Sequence, residues 1–259
     1  MSNLGPRLSN PWSLYDELIA GVPRGIAIVD YNLGDNWSYI NAECGCGIAM
    51  TVHGGAAGEP RSIEGMDLKN VCELSKSWNW EEATLGVAAL NAYYTTPEKV
   101  RALGGVIDEG VVESGDASNP FKLLRDEYAG KRVCVVGHFP NVHAMDGCGE
   151  LIVLERNCNS EMDTPDSACE YLMPEMDYVF ITGTTLTNKT LPRLLTLSHD
   201  AITVITGPSA IPSVVTHDHG ADLICGSVVL DPQAARRASL GGNKLEWREG
   251  IKKFCIRQQ

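Results

Sequence analysis

Two polar turns, each following a short β-branched run, contain the groups in this sequence best suited to holding a small ligand. Gly183-Thr184-Thr185 follows the apolar run 178–182, and residues 201–205 lead through Thr206 to Gly207-Pro208-Ser209. Backbone amides and short hydroxyl side chains bind anions where parallel strands end at one edge of an open sheet. The pattern therefore predicts a site for a small polar or anionic ligand, unless these side chains only satisfy their own backbone.

Thr185 offers a way to separate these two interpretations. Replacing Thr185 with valine keeps the shape of the side chain and removes its hydroxyl, so on the ligand interpretation it weakens ligand binding more than folding. Asn188 is included among the candidate ligand residues. It or Thr187 can also cap a helix predicted over residues 189–197.

A third turn, Gly137-His138-Phe139-Pro140, ends the first strand of the same predicted sheet and is expected to border the same volume. A dinucleotide-binding fold carries Gly-x-Gly-x-x-Gly at this position. The second and third glycines are absent here, and Phe139 and Pro140 occupy the space that a pyrophosphate approaches. This argues against NAD or FAD bound in the usual mode and leaves His138 as a candidate acid or base.

Glu155 and Arg156 end the second predicted strand of this sheet. Glu155 is a second candidate acid or base, and its carboxylate could also accept a hydrogen bond from a ribose or another hydroxyl. The alternative is that Glu155 and Arg156 form only a surface ion pair, which contributes little to binding or stability.

Cys44 and Cys46, with His53 nearby, form the best candidate site for a soft metal ion. Their spacing differs from the Cys-x-x-Cys of structural zinc sites. His217-Asp218-His219 is a second candidate. The alternative is that both sets are packing or surface residues, as isolated thiols and imidazoles usually are. The sequence predicts at most one metal site, made by Cys44 and Cys46 if by any residues.

The overall charge narrows the classes of partner. With 33 acidic and 21 basic residues the formal net charge is −12, which argues against nucleic acid or an anionic membrane surface as the main partner. No Ser-x-x-Lys, Gly-x-Ser-x-Gly or His-Glu-x-x-His signature is present, so no common hydrolase mechanism follows. A small-molecule or metal-complex ligand is expected, and a homo-oligomer is compatible with the sequence.

The expected compartment is the cytoplasm. The first residues contain no apolar segment of signal-peptide length, and no later run is long enough to span a bilayer. The nine cysteines are therefore expected to be reduced thiols that pack as small apolar side chains.

The order of predicted elements indicates two domains. Strands at 25–29, 37–40 and 47–52 precede helices at 68–77 and 79–94, which together predict a small α+β domain over residues 1–118. Strict alternation of strands and helices follows, which predicts an α/β domain over residues 119–259 with a mainly parallel sheet. Its five strands are predicted at 132–136, 151–154, 178–182, 201–205 and 222–230. Its helices are predicted at 119–128, 164–172, 189–197, 213–219 and 232–240.

Four segments of the second domain resemble a known family: VCVVGHFP at 133–140, LER at 154–156, PEMDYVFITGTTLTNKT at 174–190 and VITGPSA at 204–210. This is the heavy-metal chelation family of unknown function, found largely in anaerobic prokaryotes. The resemblance implies an enolase N-terminal-like domain followed by a Rossmann-like domain, with a ligand cleft between them. It implies no enolase chemistry, since that enzyme's barrel has no counterpart here.

Three functions are compatible with these observations. In the first, the chain binds or hands over a small polar ligand, a soft metal ion or a metal complex in the interdomain cleft. In the second, it is an enzyme that transforms a small molecule there, with Glu155 or His138 as acid or base. A nucleotide-binding module with an adenine-sized slot beside Glu155 is the third alternative.

Overall fold

The N-terminal lobe, residues 10–102, places its helices on one face of a three-stranded antiparallel sheet. The computed structural model describes residues 10–108, 119–140, 142, 145–242 and 249–258. The sheet order is β1-β2-β3, and the elements of the lobe are α1 Ser13–Ala20, β1 Ile28–Leu33, β2 Trp37–Ala42, β3 Gly45–Met50, α2 Leu68–Cys72, a 3₁₀ turn Glu73–Lys76, α3 Trp80–Tyr94 and α4 Pro97–Ala102.

Helix α3 begins where the sequence predicts and lies directly on β3. The Asn79 side chain caps it by accepting the backbone N–H groups of Glu81 and Glu82. Gly47 of β3 permits the close approach, because an added Cβ would lie 2.0 Å from the backbone nitrogen of Ala92. The first strand begins three residues later than predicted and runs to Leu33.

The C-terminal lobe, residues 119–258 together with β4, is built on an eight-stranded sheet with the order β4-β11-β10-β9-β8-β5-β6-β7. The strands from β10 to β7 in this order are parallel, whereas β11 and β4 are antiparallel to their neighbours. The strands are β4 Val106–Ile107, β5 Arg132–Val136, β6 Glu150–Glu155, β7 Asp163–Pro165, β8 Tyr178–Thr182, β9 Ile202–Thr206, β10 Leu223–Val229 and β11 Ile251–Arg257.

Short helices connect these strands. They are α5 Pro120–Leu123, α6 Arg125–Tyr128, α7 Cys169–Leu172, α8 Thr184–Thr187, α9 Leu191–Leu197, α10 Val214–Asp218 and α11 Pro232–Ser239, with 3₁₀ turns at Asp166–Ala168 and Met173–Glu175. Both faces of the sheet are covered, because Val179 and Ile181 of β8 join one buried cluster and Phe180 joins another. The first of these clusters continues into the N-terminal lobe through Leu14 and Leu90.

The α/β class is confirmed, as a small antiparallel unit followed by a mixed, mostly parallel sheet. All five predicted strands occur, but the prediction of five was wrong because β4, β7 and β11 extend the sheet to eight. The predicted helix at 164–172 was wrong at its start. Thr164 and Pro165 resemble a helix N-terminus, yet they pair with Leu154 and Glu155 as an edge strand, where proline is tolerated.

The predicted boundary between residues 118 and 119 adjoins a segment outside the described residues, so it stays a prediction. β4 lies before that boundary but pairs with Phe254 and Cys255 of β11. The enolase-like and Rossmann-like descriptions of the two parts also stay predictions. In the described part of the chain, no helix is both long and apolar enough to cross a membrane.

The expectation that all nine cysteines are free thiols was wrong for one pair. Cys225 of β10 and Cys255 of β11 face each other in the antiparallel register and form a disulfide. Their Cα atoms are 4.1 Å apart. The other seven cysteines are free.

Candidate functional site

Four predicted site segments follow neighbouring parallel strands, at one edge of the large sheet. Gly207 follows β9, Gly183 follows β8, Gly137 follows β5 and Glu155 ends β6, in the spatial order of these strands. The first amide of each glycine turn extends the ladder: Gly207 donates to Cys225 O at 3.0 Å, Gly183 to Thr206 O at 2.8 Å and Gly137 to Leu154 O at 2.8 Å. Backbone N–H groups free to contact a ligand at this edge must therefore come from later residues of each turn.

The three glycine turns lie side by side. An added Cβ on Gly183 would lie 2.4 Å from the backbone nitrogen of Ala210 and 2.5 Å from the carbonyl carbon of Ser209. An added Cβ on Gly137, whose φ is +99°, would lie 3.0 Å from Cγ2 of Thr182. The glycines thus allow turns on β5, β8 and β9 to approach each other closely.

The hydroxyls after β8 differ in accessibility. Residues Thr184–Thr187 form one helical turn rather than the open turn that the sequence predicts. This turn directs the Thr185 hydroxyl inward, where it donates to Thr182 O at 2.6 Å, and Thr185 is only 2% exposed. Thr184 is partly exposed, and its hydroxyl lies 3.1 Å from the Thr182 hydroxyl. Thr182 and Thr184 are therefore the partly exposed threonines here, and Thr182 was not among the predicted site residues.

Asn188 and Lys189 follow this turn. The Asn188 side chain accepts both the backbone N–H and the hydroxyl of Thr190, at 3.2 and 2.6 Å, just before α9. Within the described ranges, Lys189 alone among non-glycine residues has a positive φ, 68°. Its Nζ donates to Thr187 O at 2.7 Å, and burial lowers the pKa of this amine to about 8. The sequence around Lys189 does not predict its positive φ or its lowered pKa, because both depend on the tertiary structure around it.

The turn after β9 contacts the N-terminal lobe. The Asn91 side chain of α3 donates to Ile48 O at 2.9 Å and to Pro208 O at 3.0 Å. The backbone N–H of Met50 donates to the Ser209 hydroxyl at 3.0 Å, and Ser209 is 1% exposed. Pro208 and Ser209 thus hold the two lobes together.

His138 is held by two carboxylates, one at the end of β6 and one at the start of β7. Its backbone N–H donates to Glu155 Oε2 at 2.9 Å, and its Nδ1 lies 2.6 Å from Asp163 Oδ1. The hydrogen bond from His138 and the N–H groups of Asn159 and Ser160 keep the pKa of Asp163 below its ordinary value. The Asp163 side chain is 1% exposed, whereas the His138 side chain is 27% exposed.

Asp163 was missed by the sequence analysis. No spacing connects it to His138, and residues 164–165 were predicted to begin a helix. Only the pairing of β7 with β6 brings the carboxylate next to the imidazole.

Glu155 shapes the two loops around it. In addition to the His138 N–H, its carboxylate accepts the backbone N–H of Asn157 at 3.0 Å. Arg156 pairs with Asp166 at 2.9 Å, not with Glu155, and its guanidinium lies 5.5 Å from the ring centroid of Trp80 on α3. Arg156 and Trp80 therefore form a contact between the two lobes, next to the end of β6. The sequence did not indicate Trp80 as a site residue.

Phe139 and Pro140 complete the turn after β5. Phe139 is partly buried and packs edge-on against Phe121, with ring centroids 5.2 Å apart. Pro140 is exposed. Phe139 thus anchors the turn that carries His138.

The two candidate metal-binding thiols pack in different places. Cys44 packs against the main core and Cys46 lies in a separate small cluster between the lobes. Burial raises the pKa of both thiols, that of Cys46 to about 12, which disfavours the thiolate form that metals bind. Over the part of the chain that the structure describes, no group of three or more His, Cys, Asp or Glu side chains could hold a metal ion. Metal binding by Cys44 and Cys46 stays a prediction.

The histidines named with these thiols have separate surroundings. His53 pairs with Glu81 at 2.8 Å and lies 2.8 Å from Asp35 O, and the hydrogen bond to Glu81 raises its pKa. His217 is buried with Nδ1 2.6 Å from Ala221 O, whereas His219 pairs with Glu17 at 3.2 Å. The structure gives His217 and His219 different partners.

Comparison with known proteins gives a consistent result for both halves of the chain. Residues 119–254 match the DUF364 family and residues 15–94 match the DUF4213 family, both described as "Putative heavy-metal chelation". An uncharacterized protein of Methanocaldococcus jannaschii is 30% identical over 203 residues, which cover 74% of each chain.

Two solved structures of DUF364 proteins with unknown function are similar. The protein from Desulfitobacterium hafniense is 33% identical with a TM-score of 0.84, over 97% of this chain and 100% of that chain. The protein from Pyrococcus horikoshii is 22% identical with a TM-score of 0.78, over 95% and 98% of the two chains, which shows a shared fold.

Proposed function

Because this chain belongs to the DUF364 family, whose description is "Putative heavy-metal chelation", we propose that it binds a small polar or anionic ligand, such as a metal complex, at the junction of its two lobes. The observation that carries this proposal is the partly exposed side chain of His138. His138 follows Gly137, which lies against Thr182 at the carboxyl ends of the parallel strands. A ligand there would meet this imidazole together with the hydroxyls of Thr182 and Thr184.

The side chains at this edge support a ligand that carries a metal. His138 provides an imidazole, a common ligand for zinc, copper, iron and nickel, whereas the positive charge of Arg156 is already paired with Asp166. Nearby carboxylates are occupied by donors of the protein itself, since Glu155 accepts two backbone N–H groups and Asp163 accepts two more together with the His138 ring.

Thermal shifts with two simple probes test this proposal. Inorganic phosphate represents an anionic ligand and Co²⁺ represents a metal centre that imidazole can bind. We expect at least one probe to raise the melting temperature of the wild type and to raise that of His138→Gln less. His199→Gln is the matched control, because His199 is exposed on the loop before β9. Equal shifts in wild type and His138→Gln with both probes would refute binding at His138.

The natural ligand can be sought directly. Native mass spectrometry with elemental analysis, on protein purified without oxygen, would detect a retained metal or small molecule. A retained metal that is unchanged after serine replaces both Cys44 and Cys46 would exclude those thiols. This measurement is a direct test of metal binding, the property that the family description suggests.

An enzyme acting at the same place is the second candidate function. It is favoured by the pairing of His138 with the buried Asp163, because a carboxylate-oriented imidazole is suited to proton transfer. Glu155 is less suited, since its carboxylate already accepts two backbone N–H groups. The nucleotide-binding alternative, with a ribose hydroxyl on Glu155, stays a prediction that ATP in the same thermal-shift assay would test.

A further inference from the structure

One row of paired residues runs across the large sheet from the candidate site to the disulfide. Thr182 of β8 lies opposite Thr206 of β9, and Thr206 lies opposite Cys225 of β10. Cys225 is linked to Cys255 of β11, and Cys255 lies opposite Val106 of the edge strand β4. The first cysteine of the disulfide is therefore two strands away from Thr182, in the same row.

The disulfide is also connected to the turn after β9 by a hydrogen bond. The carbonyl oxygen of Cys225 accepts the backbone N–H of Gly207 at 3.0 Å. Gly207 begins the turn whose next two residues, Pro208 and Ser209, hold the two lobes together. Any displacement of β10 at Cys225 therefore reaches this turn directly.

The sheet does not need the disulfide to keep these strands in register. All seven residues of β10 pair with all seven residues of β11, and the disulfide lies inside this ladder. Antiparallel backbone hydrogen bonds on either side of the cysteines would hold the strands together after reduction. Without the covalent link, however, local opening at this row costs less free energy, and the Gly207 amide is exposed more often.

The two cysteines differ in exposure, which decides where a reductant can attack. Cys225 is only 3% exposed, whereas Cys255 is partly exposed beside the two-residue strand β4. A thiolate of a small dithiol would attack Cys255 Sγ, and the sulfur–sulfur bond would break toward Cys225, which leaves as a thiolate and takes up a proton. The second thiol of the reductant then displaces Cys255 and closes a cyclic disulfide. Two electrons pass from the dithiol to the protein, and the reverse exchange restores the link.

We infer that Cys225 and Cys255 form a reversible redox switch, whose opening by a dithiol loosens the turn after β9. The switch stands on the pairing of the strands and on the hydrogen bond from Gly207 to Cys225. Its effect on a ligand rests on the proposed function, which places the ligand at this edge of the sheet. The oxidised form holds the turn in place, and the reduced form binds the ligand more weakly.

Thiol labelling shows whether the link opens while the protein is folded. Oxidised protein is incubated with dithiothreitol below its melting temperature, and circular dichroism is recorded on the same sample. The exchange is then stopped with acid, the thiols are labelled with N-ethylmaleimide in denaturant, and the labelled cysteines are identified by mass spectrometry. We expect Cys225 and Cys255 to be labelled only after dithiothreitol, with the circular dichroism unchanged. A link that opens only when the protein unfolds would overturn the inference.

Hydrogen exchange, followed by NMR, measures what opening does to the turn. We expect the Gly207 amide to exchange at least about 10-fold faster in the reduced protein, given the usual contribution of a disulfide to stability. The Gly137 amide donates to Leu154 O between β5 and β6, farther along the sheet, and should accelerate less. Equal acceleration of both amides would indicate only a general loss of stability. That result, or unchanged exchange at Gly207, would overturn the inference, and neither needs a variant to fold.

Two variants test whether the effect comes from this disulfide. The double variant Cys225→Ala/Cys255→Ala is permanently open, so its Gly207 amide should exchange as fast as that of the reduced wild type, with or without dithiothreitol. Cys158→Ala is the control, because it removes an exposed free thiol and should respond to dithiothreitol as the wild type does. An effect of dithiothreitol on Gly207 that persists in the double variant would refute the switch.

Ligand probes separate the switch from the proposed function. The thermal shift with phosphate is compared between oxidised and reduced wild type. The shift with Co²⁺ is compared between oxidised wild type and the double variant, because thiolates of a dithiol would bind the metal. We expect smaller shifts in the open forms. If neither probe binds the oxidised protein, the proposed function is refuted, and exchange at Gly207 still decides the switch. Equal probe shifts in both forms, despite faster exchange at Gly207, would refute redox control of ligand binding.

Discussion

The hydroxyl of Ser209 accepts the backbone N–H of Met50 at 3.0 Å, and this hydrogen bond connects the end of β9 to the end of β3. The adjacent Pro208 carbonyl accepts the Asn91 side chain from α3. The turn after β9 therefore fixes the position of the N-terminal lobe over the strand ends, whatever it contributes to a ligand. These buried hydrogen bonds lie beside an apolar cluster that also spans the two lobes.

Ser209→Ala should lower the free energy of unfolding by about 1–3 kcal/mol, because the Met50 N–H loses its acceptor at a site where Ser209 is buried. Urea unfolding measures this value. Ser167→Ala, at an exposed serine, is the control and should stay within about 0.5 kcal/mol of the wild type. A Ser209→Ala variant as stable as the control would show that this hydrogen bond does not support the junction.

Thr184→Val and Thr185→Val should have opposite effects. Thr185 donates inward to Thr182 O, so its replacement should cost about 1 kcal/mol of stability and leave phosphate binding unchanged. Thr184 is partly exposed, so its replacement should weaken phosphate binding and change stability little. This assignment moves the ligand-binding role expected from the sequence for Thr185 to its neighbour. Thermal melts with and without phosphate measure both effects, and a loss of the phosphate shift in Thr185→Val would contradict the assignment.

Glu82 should make the free energy of unfolding depend on pH under acidic conditions. Its side chain is 7% exposed and accepts the Arg61 guanidinium, the Arg61 N–H and the Ser77 hydroxyl. These hydrogen bonds, the guanidinium first, lower its pKa from 4.5 to about 2. The pKa of Glu82 is lower in the folded protein than in the unfolded chain. The stabilisation of the fold by ionised Glu82 is therefore complete above pH 4.5 and is lost as the pH falls from 4.5 toward 2.

Glu82→Gln should therefore be less stable than the wild type at neutral pH, by about 1–3 kcal/mol. The difference in unfolding free energy should shrink as the pH falls through the same interval. Glu73→Gln is the control, since Glu73 is half exposed in its pair with Lys76 and should contribute under about 1 kcal/mol. A difference between wild type and Glu82→Gln that stays constant down to about pH 2 would contradict the lowered pKa.

The disulfide between Cys225 and Cys255 can be detected by counting the reactive thiols of the protein. Protein unfolded without reductant should present seven reactive thiols, and the reduced protein should present all nine. Reduction should also lower the free energy of unfolding by about 2–4 kcal/mol, the usual effect of opening such a link. Nine thiols without reductant would show that the pair is open in the purified protein.

The sequence predicted the buried centre of the fold and missed its edges, for a physical reason. A strand covered on both faces is a continuous apolar run, so Tyr178–Thr182 was located to the residue. β7 is three residues long and contains Thr-Pro, while β11 contains two lysines and an arginine. Such strands are defined mainly by their hydrogen-bonded neighbours, which the local sequence does not encode.

The same distinction applies to the candidate site. Glycine and threonine after β8 and β9 indicated turns at one edge, because the composition of a turn is local information. Which threonine hydroxyl turns inward depends on the helical turn Thr184–Thr187. The contact between His138 and Asp163 depends on β7 lying beside β6, a pairing between segments separated in sequence.

The antiparallel edge of the large sheet also sets an order of assembly during protein synthesis. The ribosome makes β4 before β5, but its hydrogen-bonding partners Phe254 and Cys255 are translated after all the other strands of this sheet have been made. A nascent chain that already holds the whole N-terminal lobe must keep Val106 and Ile107 unpaired until β11 appears. Closure of this edge thus follows the translation of the other strands, and a ribosome-stalled chain ending before residue 251 should lack it.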